Sequence, residues 1–555
     1  MPADPRPSLA ILSLPSGEPM PMPTSALRAA RASRLASALL VAGLLGGCAV
    51  GPDYSAPAMR LPAKWGMASP TVAVTGEEPD NRPPELARWW ERLGDKTLNR
   101  LIDEAIAGNL DVATAKARVR QARATRREAF GALAPSVDGT GSYTRAGNGS
   151  NVSDTGDVTV SGPYDSFAFG VNASWELDLF GANRRAAEAA TYGLDAAEET
   201  LRNTLLTLIG DVATYYVEAR GYQARAALAR RTAASQRETA GLTRTKLLAG
   251  SASAVDVANA EGQAASTEAN IPELESSYQQ TIHQLAILLG QPPSALNEVM
   301  KRKAPIPTPV RAIPRGVPAN VLLSRPDVRL AERQYAQYTA KVGQAEAARY
   351  PAISLTGDVT TSAAKVGDLA KSSSISWSFG PSLSIPIFNG GQLKAAVEYA
   401  QAERDAYFIA YRAAVLGALQ DVENASVALQ QERLKYRSLD ASAASYRQAV
   451  SLARTLYQSG SSSFLDVLDS ERSAYSADDT LLASRVAIAT DYIALNKALG
   501  GGWTGKVDDR TPAVVDTQMA PRLVSLDRTG LTRRDPENRS PDKALARKGA
   551  AGSAR

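Results

Sequence analysis

Between Asp165 and Leu179 the chain alternates without a fault. Phe167, Phe169, Val171, Ala173, Trp175, Leu177 and Leu179 fall on one face, and Ser166, Ala168, Gly170, Asn172, Ser174, Glu176 and Asp178 on the other. The design returns later, where Ile375, Trp377, Phe379, Leu383, Ile385 and Ile387 oppose Ser374, Ser376, Ser378, Ser382 and Ser384. Shorter alternating runs, Val137 to Tyr143 and Ile353 to Val359, precede each of these. A period of two marks a sheet with one apolar and one polar face, which predicts strands over about 136–146, 164–179, 352–361 and 374–387.

The remaining body has a helical rhythm. Leu201, Leu205, Leu208, Val212, Tyr215, Ala219, Tyr222 and Ala226 step by four and three, as do Leu482, Val486, Ala489 and Ile493. Two proline-free runs, Asn183 to Leu248 and Gln392 to Gln458, predict helices of roughly 100 Å at 1.5 Å per residue, far beyond a globular domain. Shorter helices are expected over about 254–289 and 464–499. Gly-Ser pieces at 250–253 and 460–463 separate the members of each pair. Glycine permits a left-handed turn there, and Ser253 or Ser463 can cap the helix that begins just before Asp256 or Asp466. Each pair is therefore expected to be a helical hairpin with a tight tip.

These patterns occur twice. Gly250, Ser251, Ser253, Asp256, Val257 and Glu261 recur as Gly460, Ser461, Ser463, Asp466, Val467 and Glu471, at a constant offset of 210 residues. A second echo, at offset 216, brings back Asp111, Val112, Gln121 and Pro135 as Asp327, Val328, Gln337 and Pro351. The echoes keep their order, so the body reads as one long unit in tandem: a first repeat over 95–300, a Pro-rich connector at 301–318 and a second repeat over 319–503. The period exceeds the roughly 20–50 residues of solenoid repeats.

The polar face of the strands is Ser, Thr, Gly and Asn, as in a lumen, and the apolar face carries Phe and Trp, as at a lipid interface. Strands of about 9–11 residues cross a bilayer when tilted. Four strands cannot close a barrel, and an open edge in lipid is prohibitively costly. Other copies must then complete the sheet, and three would supply twelve strands. The segments 147–163 and 362–373, rich in Gly and Ser, would be its outer loops. A soluble β-sandwich face is the alternative that alternation alone leaves open.

Charge and cysteine sharpen the picture. The formal net charge is +5, but residues 505–555 carry +4 and residues 1–47 carry +2, so the body is about one charge negative. A nucleic-acid binder keeps its basic surface on the folded part, and no nucleic-acid partner is expected. The 504–555 segment mixes charge, proline and glycine without periodicity and is expected to be a disordered tail. The one cysteine, Cys48, follows Arg28, Arg31 and Arg34, the apolar run Leu35 to Leu45, and Gly46-Gly47. That order describes a signal peptide over 1–47, with the translation start expected at Met20 or Met22, and Leu45-Gly46-Gly47-Cys48 resembles a bacterial lipoprotein lipobox, which implies an acylated Cys48 opening a lipidated segment over 48–94. The alternative for Cys48 is a buried structural thiol.

The lipobox followed by Gly51-Pro52-Asp53-Tyr54, the strand end Trp175 to Gly181, its counterpart Ile385 to Gly391, and the Asp466-Val467-Leu468-Asp469 tip resemble the outer membrane efflux protein family, the TolC-like outer membrane factors, and within it the NodT-type lipoproteins. The resemblance spans about residues 48–503 in order. It implies a mixed α/β membrane protein: a homotrimer with a twelve-stranded β-barrel in the bacterial outer membrane, continued by a long α-helical coiled-coil barrel in the periplasm. It implies a belt around the helices from the 301–318 connector and the chain ends. It also implies the exit duct of a tripartite efflux pump, with a periplasmic adaptor, a proton-driven inner-membrane pump and outer-membrane lipid as partners. Asp466 and Asp469 match the family's constricting aspartates, and Tyr457 stands where a gate tyrosine occurs. Gly250, Ser253, Asp256, Gly460 and Ser463 mark the tips and the adaptor-docking region. Ser462 departs from members that carry an arginine tying the tip shut.

From spacing alone, Asp466 and Asp469 share one helix face, and three-fold symmetry would gather them into rings that favour cations. A solvated acidic helix start, stabilised by the helix dipole, is the plainer reading. Catalysis has little to stand on. His283 is the one histidine and reads as structural, and there is no Walker loop, Gly-x-Ser-x-Gly elbow or cysteine pair. No enzyme, metal site or cofactor beyond a covalent lipid on Cys48 is expected. An exit channel for type I polypeptide secretion and a lipid-anchored coiled-coil scaffold without a pore are the competing functions.

Overall fold

The computed structural model describes residues 49–59, 88–147, 151–152, 158–159, 163–309, 319–502 and 508–511. The expected leader, Cys48, residues 310–318 of the connector and most of the expected tail lie outside the described residues. The chain divides into two units, residues 1–505 and 506–555. In the second, the Asp508 carboxylate accepts from the Arg510 and Thr511 amides.

The elements of the first unit run α1 (Lys96–Gly108), α2 (Leu110–Gly131), β1 (Ser136–Ala146), β2 (Tyr164–Leu177), α3 (Ala182–Leu248), α4 (Ala254–Leu288), α5 (Asn297–Lys301), α6 (Pro326–Ala347), β3 (Ala352–Ala363), β4 (Ile375–Ser384), α7 (Gln392–Gln458) and α8 (Phe464–Ala498). These four strands form one antiparallel sheet in the order β1-β2-β3-β4, and the short strands Asn151–Val152 and Val158–Thr159 pair separately. Its register keeps the two faces continuous across repeats. Val171 lies opposite Val359, and Val359 opposite Trp377. On the other face Asp138, Asn172, Asp358 and Ser378 share one rung. The apolar face is partly open within the chain: Phe169 is 57% and Trp377 75% exposed. β1 and β4 are the edges of this sheet.

Two strands stop short of the alternation. β2 ends at Leu177, because the Asp178 carboxylate accepts from the Asn183 and Arg184 amides at 3.1 and 2.8 Å and turns the chain into α3. β4 ends at Ser384, so Ile385 and Ile387 continue the alternation outside the ladder.

α3 and α7 each contain 67 residues, or roughly 100 Å of helix. α3 pairs with α4 and α7 with α8, giving two long hairpins. The duplication reaches their side chains. Arg237 pairs with Glu268 and Arg244 with Glu261 across the first hairpin, and 210 residues on Arg447 pairs with Asp478 and Arg454 with Glu471 across the second. Seven-residue spacing keeps these pairs on one seam.

The far ends of the hairpins are closed by an equally duplicated device. Asn109, between α1 and α2, donates from Nδ2 to the Leu288 carbonyl at 2.9 Å, and Arg325, before α6, donates to the Ala498 carbonyl at 2.7 Å. Each satisfies a carbonyl that the last turn of a helix leaves open.

Midway along α3 the chain is girdled. Asp95 caps α1 through the Thr97 and Leu98 amides and also accepts from the Tyr216 hydroxyl at 2.7 Å. Burial and the Asp95 bond push the Tyr216 phenol up to about 12. Buried Arg220 donates to the Met300 and Arg302 carbonyls at 3.2 and 2.8 Å, fixing the start of the connector to the same stretch of α3. Trp89 and Trp90 are fully buried, and Trp89 meets Tyr492 of α8 edge-on.

Candidate functional site: the helical tips

Gly250 and Gly460 end the two long helices with φ of 75° and 78°, a left-handed backbone that side chains with a Cβ disfavour. The returning helices then start with a reciprocal cap. The Ser253 and Ser463 hydroxyls accept from the amides of Asp256 and Asp466, and each aspartate accepts from the serine amide at 3.0 Å. Asp466 also accepts from the Ser463 hydroxyl at 3.0 Å. Its carboxylate is thus held by the cap while staying exposed, and Asp469, one turn on, is exposed too.

Tyr457 occupies a different environment. It is buried between the hairpins, among Ala240, Ala260, Phe464, Val467 and Leu468. Its ring meets Phe464 edge-on at 5.9 Å, and its hydroxyl donates to Thr243 Oγ1 at 3.2 Å. The Lys246 ammonium lies 4.7 Å over the Tyr457 ring and donates to the Tyr457 carbonyl at 2.7 Å. One cation from α3 therefore caps the C-terminus of α7, where the dipole favours positive charge. Ser462, at the position where an arginine tie was in question, keeps its hydroxyl buried with no partner among the described residues.

A second link lies two turns above. The Glu471 carboxylate, 6% exposed, accepts from Arg454 of its own hairpin at 2.7 Å and from Thr239 of the other at 2.9 Å. Arg472 Nε donates to Gln263 at 2.6 Å. Sequence reasoning placed the tips and the aspartates but missed Lys246, Thr243 and Thr239. The periodicity of α3 gives no sign that this face meets α7 and α8. A lysine in the last turn of a helix was the one available signal, and it points to its own C-terminus rather than to a neighbour's.

The tips end two hairpins of one duplicated unit, and the family comparison divides the chain the same way. The model of the family described as "Outer membrane efflux protein" matches residues 101–291 and 317–501, one stretch on each repeat. The chain belongs to that family. It is 34% identical over 469 residues to nodulation protein T of Rhizobium leguminosarum bv. trifolii, covering 83% of this chain and 96% of that one. It is 33% identical over 464 residues to the solvent efflux pump outer membrane protein SrpC of Pseudomonas putida, covering 83% and 97%. Among solved structures, the outer-membrane channel OprN superposes with a TM-score of 0.74 at 32% identity, covering 82% of this chain and all of OprN. The chain is accordingly an outer membrane protein, an exit duct of tripartite efflux in a transport family rather than an enzyme family. Its fold is that of the trimeric TolC-like channels, in which four strands from each copy complete a twelve-stranded barrel continued by the long helices.

Proposed function

We propose that this chain is the passive small-molecule duct of a proton-driven pump, shut at its periplasmic end by the two tips of each copy. The observation that carries the reading is the joint between the tips: Lys246 and Thr243 of one hairpin grip Tyr457 of the other, while Asp466 and Asp469 stay exposed beyond the grip. Held together, the tips narrow the mouth around the aspartates; moved apart by an adaptor docked on the Gly250 and Gly460 turns, they would widen it. Several relatives carry names of solvent, toluene, antibiotic and cation efflux, which favours small cargo over the polypeptides of type I secretion. The four-stranded amphipathic sheet argues against a scaffold without a pore. No catalytic group is invoked, and energy comes from the inner-membrane partner.

Removing the grip tests this. Lys246→Ala should raise single-channel conductance in planar bilayers, since it deletes both the ring contact and the carbonyl bond. Tyr457→Phe, which loses one neutral hydrogen bond of about 1 kcal/mol, should raise it less. Unchanged conductance in Lys246→Ala would show that the joint does not limit the opening.

Cys48 is proposed to carry the lipid. Val50, two residues on, is already fixed: its amide donates to the Phe180 carbonyl at 3.1 Å, at the step from β2 into α3. That holds the chain at the foot of the sheet, where an acyl group would meet the inner leaflet. Radioactive palmitate should label the wild type and not Cys48→Ser; label persisting in the variant would assign the modification elsewhere.

A further inference from the structure

The two strand-to-helix steps at the foot of the sheet are treated unequally by the chain. The first, between Leu177 and Gly181, is covered twice over. Phe180 stacks on Tyr350, the residue that leads into β3, with ring centroids 4.8 Å apart. The N-terminal segment then lies across it. Besides the Val50 bond, buried Arg185 of α3 donates to the Val50 and Gly51 carbonyls at 3.3 Å each and to Asp53 at 2.7 Å. Gly51 touches Gly343 of α6 so closely that a Cβ there would come within 2.4 Å of its Cα. Tyr54 donates to Glu332 at 2.5 Å and packs edge-on between Tyr192 and Tyr335. Burial and the Glu332 bond raise the Tyr54 phenol, so it stays a donor at physiological pH. The seam between the first and second repeats is thus closed within one chain.

The second step, Ile385 to Gly390, has no such cover. Ile387 is 92% and Phe388 91% exposed. The elements on either side of this step are also open in part. β4 is a sheet edge, and α7 exposes Ile409, Leu416, Leu434 and Leu452. The opposite flank is its complement. β1 is the other edge, α2 packs on α3 and exposes Leu110 and Phe130, and Leu133-Ala134 lead into β1. The offset of 216 that relates Pro135 to Pro351 also relates Ala134 to Tyr350, the residue on which Phe180 stacks.

We propose that Ile387 and Phe388 are an assembly contact: they seat on the residues leading into β1, around Leu133 and Ala134, of a second copy of this chain. Tandem duplication makes this inter-copy seam the counterpart of the one closed within the chain, and Ala134, small where Tyr350 is large, leaves room for an incoming ring. Burying Phe388 there removes from water an apolar side chain otherwise left at the foot of the sheet. The proposal rests on the trimeric channel reading.

A photo-crosslinking amino acid, p-benzoylphenylalanine, separates the outcomes when placed at position 388 of the full chain in its own membrane. Irradiation should join chain to chain, giving dimer and trimer bands after boiling in SDS, with the crosslink mapping to the 131–136 peptide. The same group at position 180, covered within its own chain, should give several-fold fewer such bands. Adducts to phospholipid alone, or none, in samples that still form trimers would overturn the proposal while leaving the channel intact. Absence of trimers in the wild type would instead sink the reading beneath it. Phe388→Ser should in addition lower the temperature at which the trimer dissociates in SDS, and an unchanged temperature would count against the contact.

Discussion

Replacing Arg454 with alanine should loosen the tip region by about 3–5 kcal/mol, the cost of leaving a buried carboxylate without its counter-charge. Glu471 is 6% exposed and Arg454 33%, so deletion of the guanidinium leaves a largely buried carboxylate without its counter-charge. Thr239, from the opposite hairpin, would remain as its one hydrogen-bond donor among the described residues. The duplicated rung supplies the control. Arg244 and Glu261 are 64% and 48% exposed, and Arg244→Ala should cost under about 1 kcal/mol, as exposed pairs do. Hydrogen exchange of the peptides spanning residues 445–475 and 235–265 reads both. Faster exchange is expected at the second hairpin in Arg454→Ala, with little change at the first in Arg244→Ala. Replacing Arg454 and Glu471 together by Met and Leu should recover most of the protection, because no buried charge then remains. Equal effects from the two single variants would mean that burial does not distinguish the rungs.

The second large effect is expected on ion selectivity. Asp466 and Asp469 lie on one exposed helix face, and on the proposed reading a three-fold axis would set three copies of that face around the mouth. Close carboxylates focus negative potential in a narrow pore and favour cations. Asp466→Asn with Asp469→Asn should lower cation preference and change conductance together in planar bilayers. Asparagine is chosen over alanine because its carbonyl can still accept from the Ser463 amide, so the helix cap is retained as the charge is lost. Asp256→Asn, at the equivalent cap of the first hairpin, serves as the comparison and should move selectivity less. Unchanged selectivity in the double variant would leave Asp466 as a capping residue and nothing more.

Much of this architecture was legible in the order of residues, because its signals are local. Alternation marks a strand wherever one face meets an apolar phase and the other water, and lipid and lumen meet that condition as well as a core does. The Gly-Ser breaks and the aspartates that follow read directly as turns and caps, since every atom involved lies within a few residues. The strand ends were less legible. Leu179, Ile385 and Ile387 continue the alternation beyond the ladder, and at the first of these ends it is the side-chain bonds of Asp178 that turn the chain away.

What the sequence determined by itself was the duplicated unit, its two-faced strands, its long hairpins and, through motif and order, its family. These follow from periodicity, which the backbone imposes on every segment alone. Only the tertiary structure decided which copy of a repeated feature is buried. Arg244–Glu261 and Arg454–Glu471 are nearly the same words in the two repeats, yet one pair is solvated and the other shared between hairpins. Tyr457 reads as a gate residue from its motif, and only the fold shows that Lys246 and Thr243, more than two hundred residues away, hold it. Phe180 is covered and Phe388 bare. The physical reason is the same in each case: a repeat fixes what a side chain is, and the chain packed against it fixes whether water can reach it.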